Sequence, residues 1–97
     1  MTEQQQKIDL LSVAQGVQQR LMPLAKEKKI TFQVEGEAAF VEGIPSILED
    51  MIYNLCDNAI KYNRQGGQVM VEVQGGEHPM VRVADTGIGI APEEQER

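Results

Sequence analysis

The sequence predicts an α/β protein of two layers, in which helices cover one face of a mixed, mostly antiparallel sheet. Two segments, near 12–29 and 45–62, carry apolar residues at helical spacing, and shorter segments alternate apolar and polar residues as half-buried strands do. A length of 97 residues suits one domain with one core. We expect a flexible leader over residues 1–7, where "MTEQQQK" is polar and aperiodic, and the domain over residues 8–97.

The first predicted helix follows the short apolar stretch "IDLL". Ser12 is placed to cap it, because a serine oxygen accepts a hydrogen bond from a free amide of the first turn. We expect this helix to continue to about Lys29 and to kink at Pro23, which lacks an amide proton. Its apolar face consists of Val13, Val17, Leu21 and either Leu24 or Ala25.

Two strands are predicted next. Ile30, Phe32 and Val34 alternate with polar residues in "KITFQVEG", and Gly36 ends this segment. The stretch "AAFVEG" is a shorter strand that ends at Gly43.

The central helix is predicted to begin at Pro45, because the fixed φ of proline suits the first helical position. Its apolar residues form a broad stripe, which consists of Ile47, Leu48, Met51, Ile52, Leu55, Cys56, Ala59 and Ile60. After "NRQGG", the alternating stretches "QVMVEVQ" and "MVRVA" flank "GGEHP", which predicts an antiparallel β-hairpin. Pro92, Glu93 and Glu94 suit the first turn of a further helix.

Charge and composition exclude several classes of protein. A net charge of -6 and a pI near 4.7 argue against a nucleic-acid partner, since such proteins usually present a basic face. The single cysteine, Cys56, cannot form an internal disulfide, and its place on the apolar stripe predicts a packing role in a reducing compartment. No apolar run approaches the roughly 18 residues of a membrane span, and no signal-peptide centre is present. We therefore expect a cytoplasmic protein.

Two asparagines lie beside the stripe of the central helix. Asn54 and Asn58 are one turn apart, and Lys61 lies within about 60° of both on a helical wheel, at the edge of the stripe. Asparagine is a mediocre helix former because its amide competes for backbone hydrogen bonds, so two in one row indicate a further role. The alternative is that they are solvated residues at the border of the stripe.

The stretch "DTGIGI", with Asp85, Gly87 and Gly89, directly follows the last predicted strand. Glycine permits close approach of the backbone, and a carboxylate can accept a hydrogen bond from an exocyclic amine, a combination that suits the edge of a purine. The alternative is an ordinary Asp-Thr-Gly turn. The sequence has no Walker-type phosphate loop, since no glycine is followed by Lys and Ser or Thr at the required spacing.

Together, "NLCDNAIKYN" and "DTGIGI" resemble the asparagine box and the first glycine box of the ATP-binding catalytic domain of sensor histidine kinases. This family lies within a superfamily that includes DNA gyrase, the Hsp90 chaperones and MutL. The resemblance covers residues 8–97 and implies a Bergerat-type ATP-binding fold that is incomplete at its C-terminus. The family continues with a phenylalanine-containing box, a lid over the phosphates, a second glycine box, a helix and closing strands.

The resemblance implies that ATP and magnesium are bound. It assigns Asn58 to the magnesium ion and Asn54 to the vicinity of the same metal and phosphates, consistent with the preference of Mg²⁺ for oxygen ligands. It assigns Lys61 to the phosphate oxygens and Tyr62 to a position covering the nucleotide.

On the base side, the resemblance implies that Asp85 holds the adenine amine, while Gly87 and Gly89 let the backbone pass close to the base. Because the family's lid is not in this sequence, we expect weak or undetectable nucleotide binding.

The resemblance also bears on the reaction. Hydrolytic relatives have a water-activating glutamate at the position of Asn54, whose amide cannot take a proton at neutral pH. Asp57 is not expected to replace it, because the helical wheel points Asp57 toward solvent. The implied enzyme is a protein histidine kinase that passes the γ-phosphoryl group of ATP to a histidine on a separate dimerisation domain. His78, in "GGEHP", is expected to be an exposed turn residue and not the acceptor.

The implied partners are that dimerisation and phosphoacceptor domain and a response regulator, in a parent protein that is membrane-anchored with this domain in the cytoplasm. We expect the chain to be inactive alone. We also expect "MVRVA" to be a sheet edge and apolar surface to be uncovered, which predicts self-association. Two alternatives stay open: a serine kinase of the anti-sigma type, and a binding module with a vestigial nucleotide site.

Overall fold

The structure, a computed structural model, describes residues 4–85, which form two helices and five strands. Two of the predicted site residues, Gly87 and Gly89, and the helix predicted at Pro92 lie outside the described residues. In chain order the elements are β1 (Gln6–Asp9), α1 (Leu10–Glu27), β2 (Thr31–Gly36), β3 (Phe40–Gly43), α2 (Pro45–Lys61), β4 (Gln68–Gln74) and β5 (Met80–Asp85).

The strands form two sheets. β1 pairs antiparallel with β3, and the other sheet has the order β2-β4-β5, with β2 parallel and β5 antiparallel to β4. The α/β class, the mixed and mostly antiparallel pairing and the β4–β5 hairpin are therefore as predicted. The pairing of β2 with β4 joins strands that are separated by β3 and α2, so local alternation gave no sign of it.

The core lies between the two helices and the inner face of β2 and β4. Alternate valines of β4 point into it, as a strand with one covered face requires. The buried residues of the core are Leu10, Ala14, Val17, Leu21, Ala25, Ile30, Phe32, Ala39, Ile52, Cys56, Ala59, Ile60, Val69, Val71 and Val73. No helix within the described range is long and apolar enough to cross a membrane.

The start of α1 differs from the prediction. Asp9, not Ser12, is the N-cap, and its Oδ1 accepts hydrogen bonds from the amides of Leu11 and Ala39, both at 3.0 Å. The carboxylate therefore caps the helix and also ties it to the segment before β3. The helix ends at Glu27 and continues through Pro23.

Part of the predicted leader is a strand. Gln6 and Lys7 belong to β1 and lie opposite Gly43 and Glu42 of β3. Both side chains are exposed, so main-chain pairing rather than burial holds them in place. The hydrophobic pattern therefore contained no signal for these two residues of the strand.

The central helix α2 buries a narrower face than its apolar stripe suggested. Its buried residues are Ile52, Cys56, Ala59 and Ile60. Three other members of the stripe, which we call the exposed apolar row, are Ile47, Met51 and Leu55, with exposures of 54%, 56% and 50%. The remaining member, Leu48, is partly buried and packs against the core, so three of the eight stripe residues are left exposed within residues 4–85.

Candidate nucleotide-binding site

The asparagine row lies on the open face of α2. Asn54, Asn58 and Lys61 are all exposed. Asn54 and Asn58 are each two positions from the buried Cys56, and therefore about 200° from it around the helix. The row was predicted at the edge of the apolar stripe. The stripe members next to it, Ile47 and Met51, are exposed within residues 4–85, so the row does not adjoin the buried face of α2.

Lys61 forms a salt bridge one turn back along α2. Its Nζ lies 3.2 Å from Oδ2 of Asp57, and the two side chains are 57% and 18% exposed. Asp57 is thus more covered than predicted, because the buried face centres near Cys56 and lies closer to Asp57 than to Asn54. An ion pair of this kind contributes only about 0.3–0.5 kcal/mol, so Lys61 can exchange it for another anion at little cost.

The turn after α2 is stabilised by the buried side-chain amide of Asn63. Tyr62 is the C-cap, is 66% exposed and donates its backbone N–H to Asn58 O at 3.0 Å. The next residue, Asn63, is only 5% exposed; its Nδ2 donates to Gln68 O at 3.0 Å and its Oδ1 accepts from the Arg64 amide at 2.8 Å. Sequence reasoning missed Asn63, although an asparagine that precedes a glycine-rich turn is a recognised turn signal.

Asp85 lies at the end of the sheet where α2 ends. It is the last residue of β5, is exposed, and lies opposite Val69 near the start of β4. The chain reaches β4 directly from α2 through residues 62–67, and α2 also contacts β5. Asp85 therefore lies at the end of the sheet that the chain enters from the C-terminal end of α2, which carries Asn58 and Lys61.

A cavity of about 530 Å³ lies elsewhere and contains none of these residues. It is lined by Glu35, Gly36, Glu37, Glu72, Val73, Gln74, Met80 and Arg82. Its residues belong to the hairpin end of the sheet, where Gln74 lies opposite Met80, whereas Asp85 and Val69 mark the other end. We do not place the nucleotide in it, because the predicted metal and base residues are remote from its lining.

The side chains of the asparagine row fit a magnesium ion held jointly with phosphates. Within residues 4–85 no cluster of His, Cys, Asp and Glu could hold a metal by itself. Asn54 and Asn58 are exposed, and no other described residue forms a hydrogen bond with either side-chain amide. Mg²⁺ commonly takes only one or two protein oxygens and completes its shell with phosphates and water, so two free amide oxygens suit it.

The only histidine, His78, is exposed between β4 and β5, as predicted for a turn residue. A side chain at this hairpin tip is at the opposite end of β5 from Asp85.

Comparison with known families shows which family this chain belongs to. Residues 43–97 match the family described as "Histidine kinase-, DNA gyrase B-, and HSP90-like ATPase". The chain belongs to this family. The matched range contains α2, β4 and β5, and with them every residue of the asparagine row as well as Asp85.

Two curated relatives of this chain are sensor kinases by name. The sensor protein kinase PmrB of Pseudomonas aeruginosa is 36% identical over 97 residues, which cover 99% of this chain and 20% of PmrB. The adaptive-response sensory kinase SasA of Synechococcus sp. is 35% identical over 91 residues, which cover 90% of this chain and 24% of SasA. The chain thus spans between a fifth and a quarter of the length of these relatives.

Solved structures show the same fold. The catalytic domain of the histidine kinase ThkA superposes with a TM-score of 0.83 at 20% identity, over 93% of this chain and 64% of that one. The mycobacterial sensor histidine kinase MprB superposes with a TM-score of 0.77 at 27% identity, over 96% of this chain and 61% of that one. The predicted fold class is therefore confirmed.

Proposed function

We propose that this chain is the ATP-binding part of a sensor histidine kinase, whose parent protein transfers the γ-phosphoryl group of ATP to a histidine on a separate domain. The observation that carries the proposal is the pairing of Asp85 with Val69 near the start of β4, because the chain enters β4 directly from the end of α2 that carries Asn58 and Lys61. PmrB and SasA are named as sensor kinases, which supports the same reading.

The proposed roles follow the chemistry of each side chain. Amide oxygens of Asn58 and Asn54 hold Mg²⁺, which neutralises charge on the phosphates when bound. Lys61 leaves Asp57 to meet a phosphate oxygen, and the exposed Tyr62 covers the nucleotide.

At the base end, Asp85 accepts a hydrogen bond from the adenine amine. Gly87 and Gly89, outside the described residues, leave room for the backbone to pass along the base.

The proposed reaction is phosphoryl transfer rather than hydrolysis. Asn54 stands on the exposed face of α2 and cannot act as a base toward water, because an amide takes no proton at neutral pH. In phosphoryl transfer the protein contributes mainly positioning of the reacting groups and neutralisation of their charge, which amides and a lysine can supply. ThkA and MprB are described as histidine kinases, which favours a histidine acceptor.

The proposed partners follow from the same assignment. One ThkA structure is described as a complex with the response regulator protein TrrA, and we propose that the parent of this chain likewise acts on a response regulator in the cytoplasm. Its acceptor histidine is proposed to lie on a dimerisation domain outside this sequence. We further propose that the chain alone self-associates, because β5 is an edge of the described sheet and the exposed apolar row lies on the surface.

Calorimetric titration with a nonhydrolysable ATP analogue and Mg²⁺ tests the proposed function. Asn58→Ala and Asp85→Asn are each expected to weaken binding about tenfold or more, since each removes a contact to a charged or buried group of the ligand. Glu77→Gln, an exposed acidic residue at the hairpin tip, is the matched control and should leave affinity unchanged. Binding that is insensitive to both site variants would favour a module with a vestigial nucleotide site.

A further inference from the structure

Lys28 connects α1 to the C-terminal end of α2. It is the C-cap residue of α1, and its Nζ donates to Ile60 O at 2.8 Å, Lys61 O at 2.7 Å and Asn63 O at 3.1 Å. An ammonium group has three protons to donate, so all three are used by the last turn of α2 and by Asn63, two residues beyond it.

Main-chain hydrogen bonds reinforce this junction. The Gly66 amide donates to Lys28 O at 3.2 Å, and the Thr31 amide donates to Gly67 O at 3.0 Å. The turn that follows α2 is therefore fastened along its length to the connection between α1 and β2. Lys28 supplies the only charged group in this set of contacts.

The end of α2 held by Lys28 is the end that carries Asn58, Lys61 and Tyr62. The last carbonyl groups of a helix lack intrahelical partners and give that end a partial negative charge of about half a unit, which repels a phosphate group nearby. A cation bonded to these carbonyls offsets that charge and fixes the turn in one conformation. Both effects favour an anion beside the last turn of α2.

We propose that Lys28 is a positioning residue of the nucleotide site, which acts on the phosphate end of the ligand through the last turn of α2. The proposal rests on the proposed function. This role differs from a merely structural one in one respect. Lys28 supports binding of the phosphates and does not affect binding of the base, which Asp85 holds.

Comparison of two ligands tests this selectivity. Affinities are measured by NMR titration for a nonhydrolysable ATP analogue with Mg²⁺ and for adenosine, at a temperature where every variant is folded. Lys28→Met removes the charge at similar length and is expected to weaken the analogue roughly fivefold, with adenosine unchanged. Lys28→Arg, which keeps the charge, should recover most of the loss. Lys26→Met, exposed in the last turn of α1, is the control and should change neither affinity.

Equal affinities of wild type and Lys28→Met for the analogue would overturn the proposal, as would an equal loss for both ligands. If the wild type binds neither ligand, this chain does not hold a nucleotide by itself, and both the proposed binding and the role of Lys28 toward phosphates fail for it. Amide hydrogen exchange without ligand then reports on the junction alone: Lys28→Met should speed exchange at Tyr62 and Gly66 and leave Ile52 unchanged. Unchanged exchange at Tyr62 and Gly66 would show that Lys28 does not hold the turn.

Discussion

Asp85 lies directly opposite Val69 in the antiparallel pair of β4 and β5. Val69 is near the start of β4, which the chain enters straight after α2 and the turn over residues 62–67. This register brings the carboxylate that follows the hairpin to the same end of the domain as Asn58. We propose that the two motifs, which lie at separate places in the sequence, form one nucleotide site.

Replacing Lys29 by glycine is expected to stabilise the protein. Lys29 has φ of 59°, in the left-handed region, where a side chain costs roughly 1–2 kcal/mol. Part of that gain is lost because glycine makes the unfolded chain more flexible, so the net increase in the free energy of unfolding should be about 0.5–1 kcal/mol. Urea denaturation measures it.

Lys26→Gly is the matched control for that change. Lys26 lies in the last turn of α1, where glycine lowers stability by up to about 1 kcal/mol. A loss of stability in both variants would contradict the account of Lys29.

The buried thiol of Cys56 should make stability depend on alkaline pH. Burial raises its pKa from 9.0 to about 11, so the folded state holds the proton more tightly than the unfolded state. The stability due to this shift is fully present below pH 9.0 and is lost as the pH rises to about 11. The free energy of unfolding of the wild type should therefore fall relative to that of Cys56→Ala across this range. Parallel curves for the two proteins would contradict the prediction.

Much of the fold could be predicted because its signals are local. The alternation in β4 and β5 and the apolar spacing of α2 each occupy a single stretch of sequence, and the structure contains all three elements. The features that were missed depend on distant partners. Asp9 replaces Ser12 as the cap of α1 partly because it also accepts from the Ala39 amide, and β1 exists because β3 is available to pair with it.

The candidate site was predicted less completely than the fold. Residue types identified Asn54, Asn58 and Asp85 as candidates, but the amount of α2 that is buried depends on its neighbours, so the sequence could not show how much of the stripe beside the row is exposed. Nothing in the sequence around Lys28 indicated its contacts with the end of α2. Its three acceptors lie 32 to 35 residues away, and a lysine in that place would normally be assigned to the end of its own helix.

Self-association should depend on the exposed apolar row. Leu55→Lys is expected to lower the average mass measured by sedimentation at high concentration, because it places a charge on an apolar surface. Stability should change by less than about 0.5 kcal/mol, since the position is exposed and lysine is a good helix former. Gln19→Lys, on the exposed surface of α1, is the control. A wild type that is strictly monomeric at high concentration would contradict the proposed self-association.

The central claim is that the asparagine row and Asp85 bind two ends of the same nucleotide, and NMR with a paramagnetic metal tests it most directly. Mn²⁺ favours the same oxygen ligands as Mg²⁺ and broadens the signals of nuclei near it. In the presence of a nonhydrolysable ATP analogue, trace Mn²⁺ should broaden the side-chain amide signals of Asn54 and Asn58 first. The analogue should at the same time shift the Asp85 amide, with Glu72 in the cavity at the other end of the sheet unaffected. The claim would be contradicted if the broadening centred on Glu72, or if the Asp85 amide signal did not shift when the analogue was added.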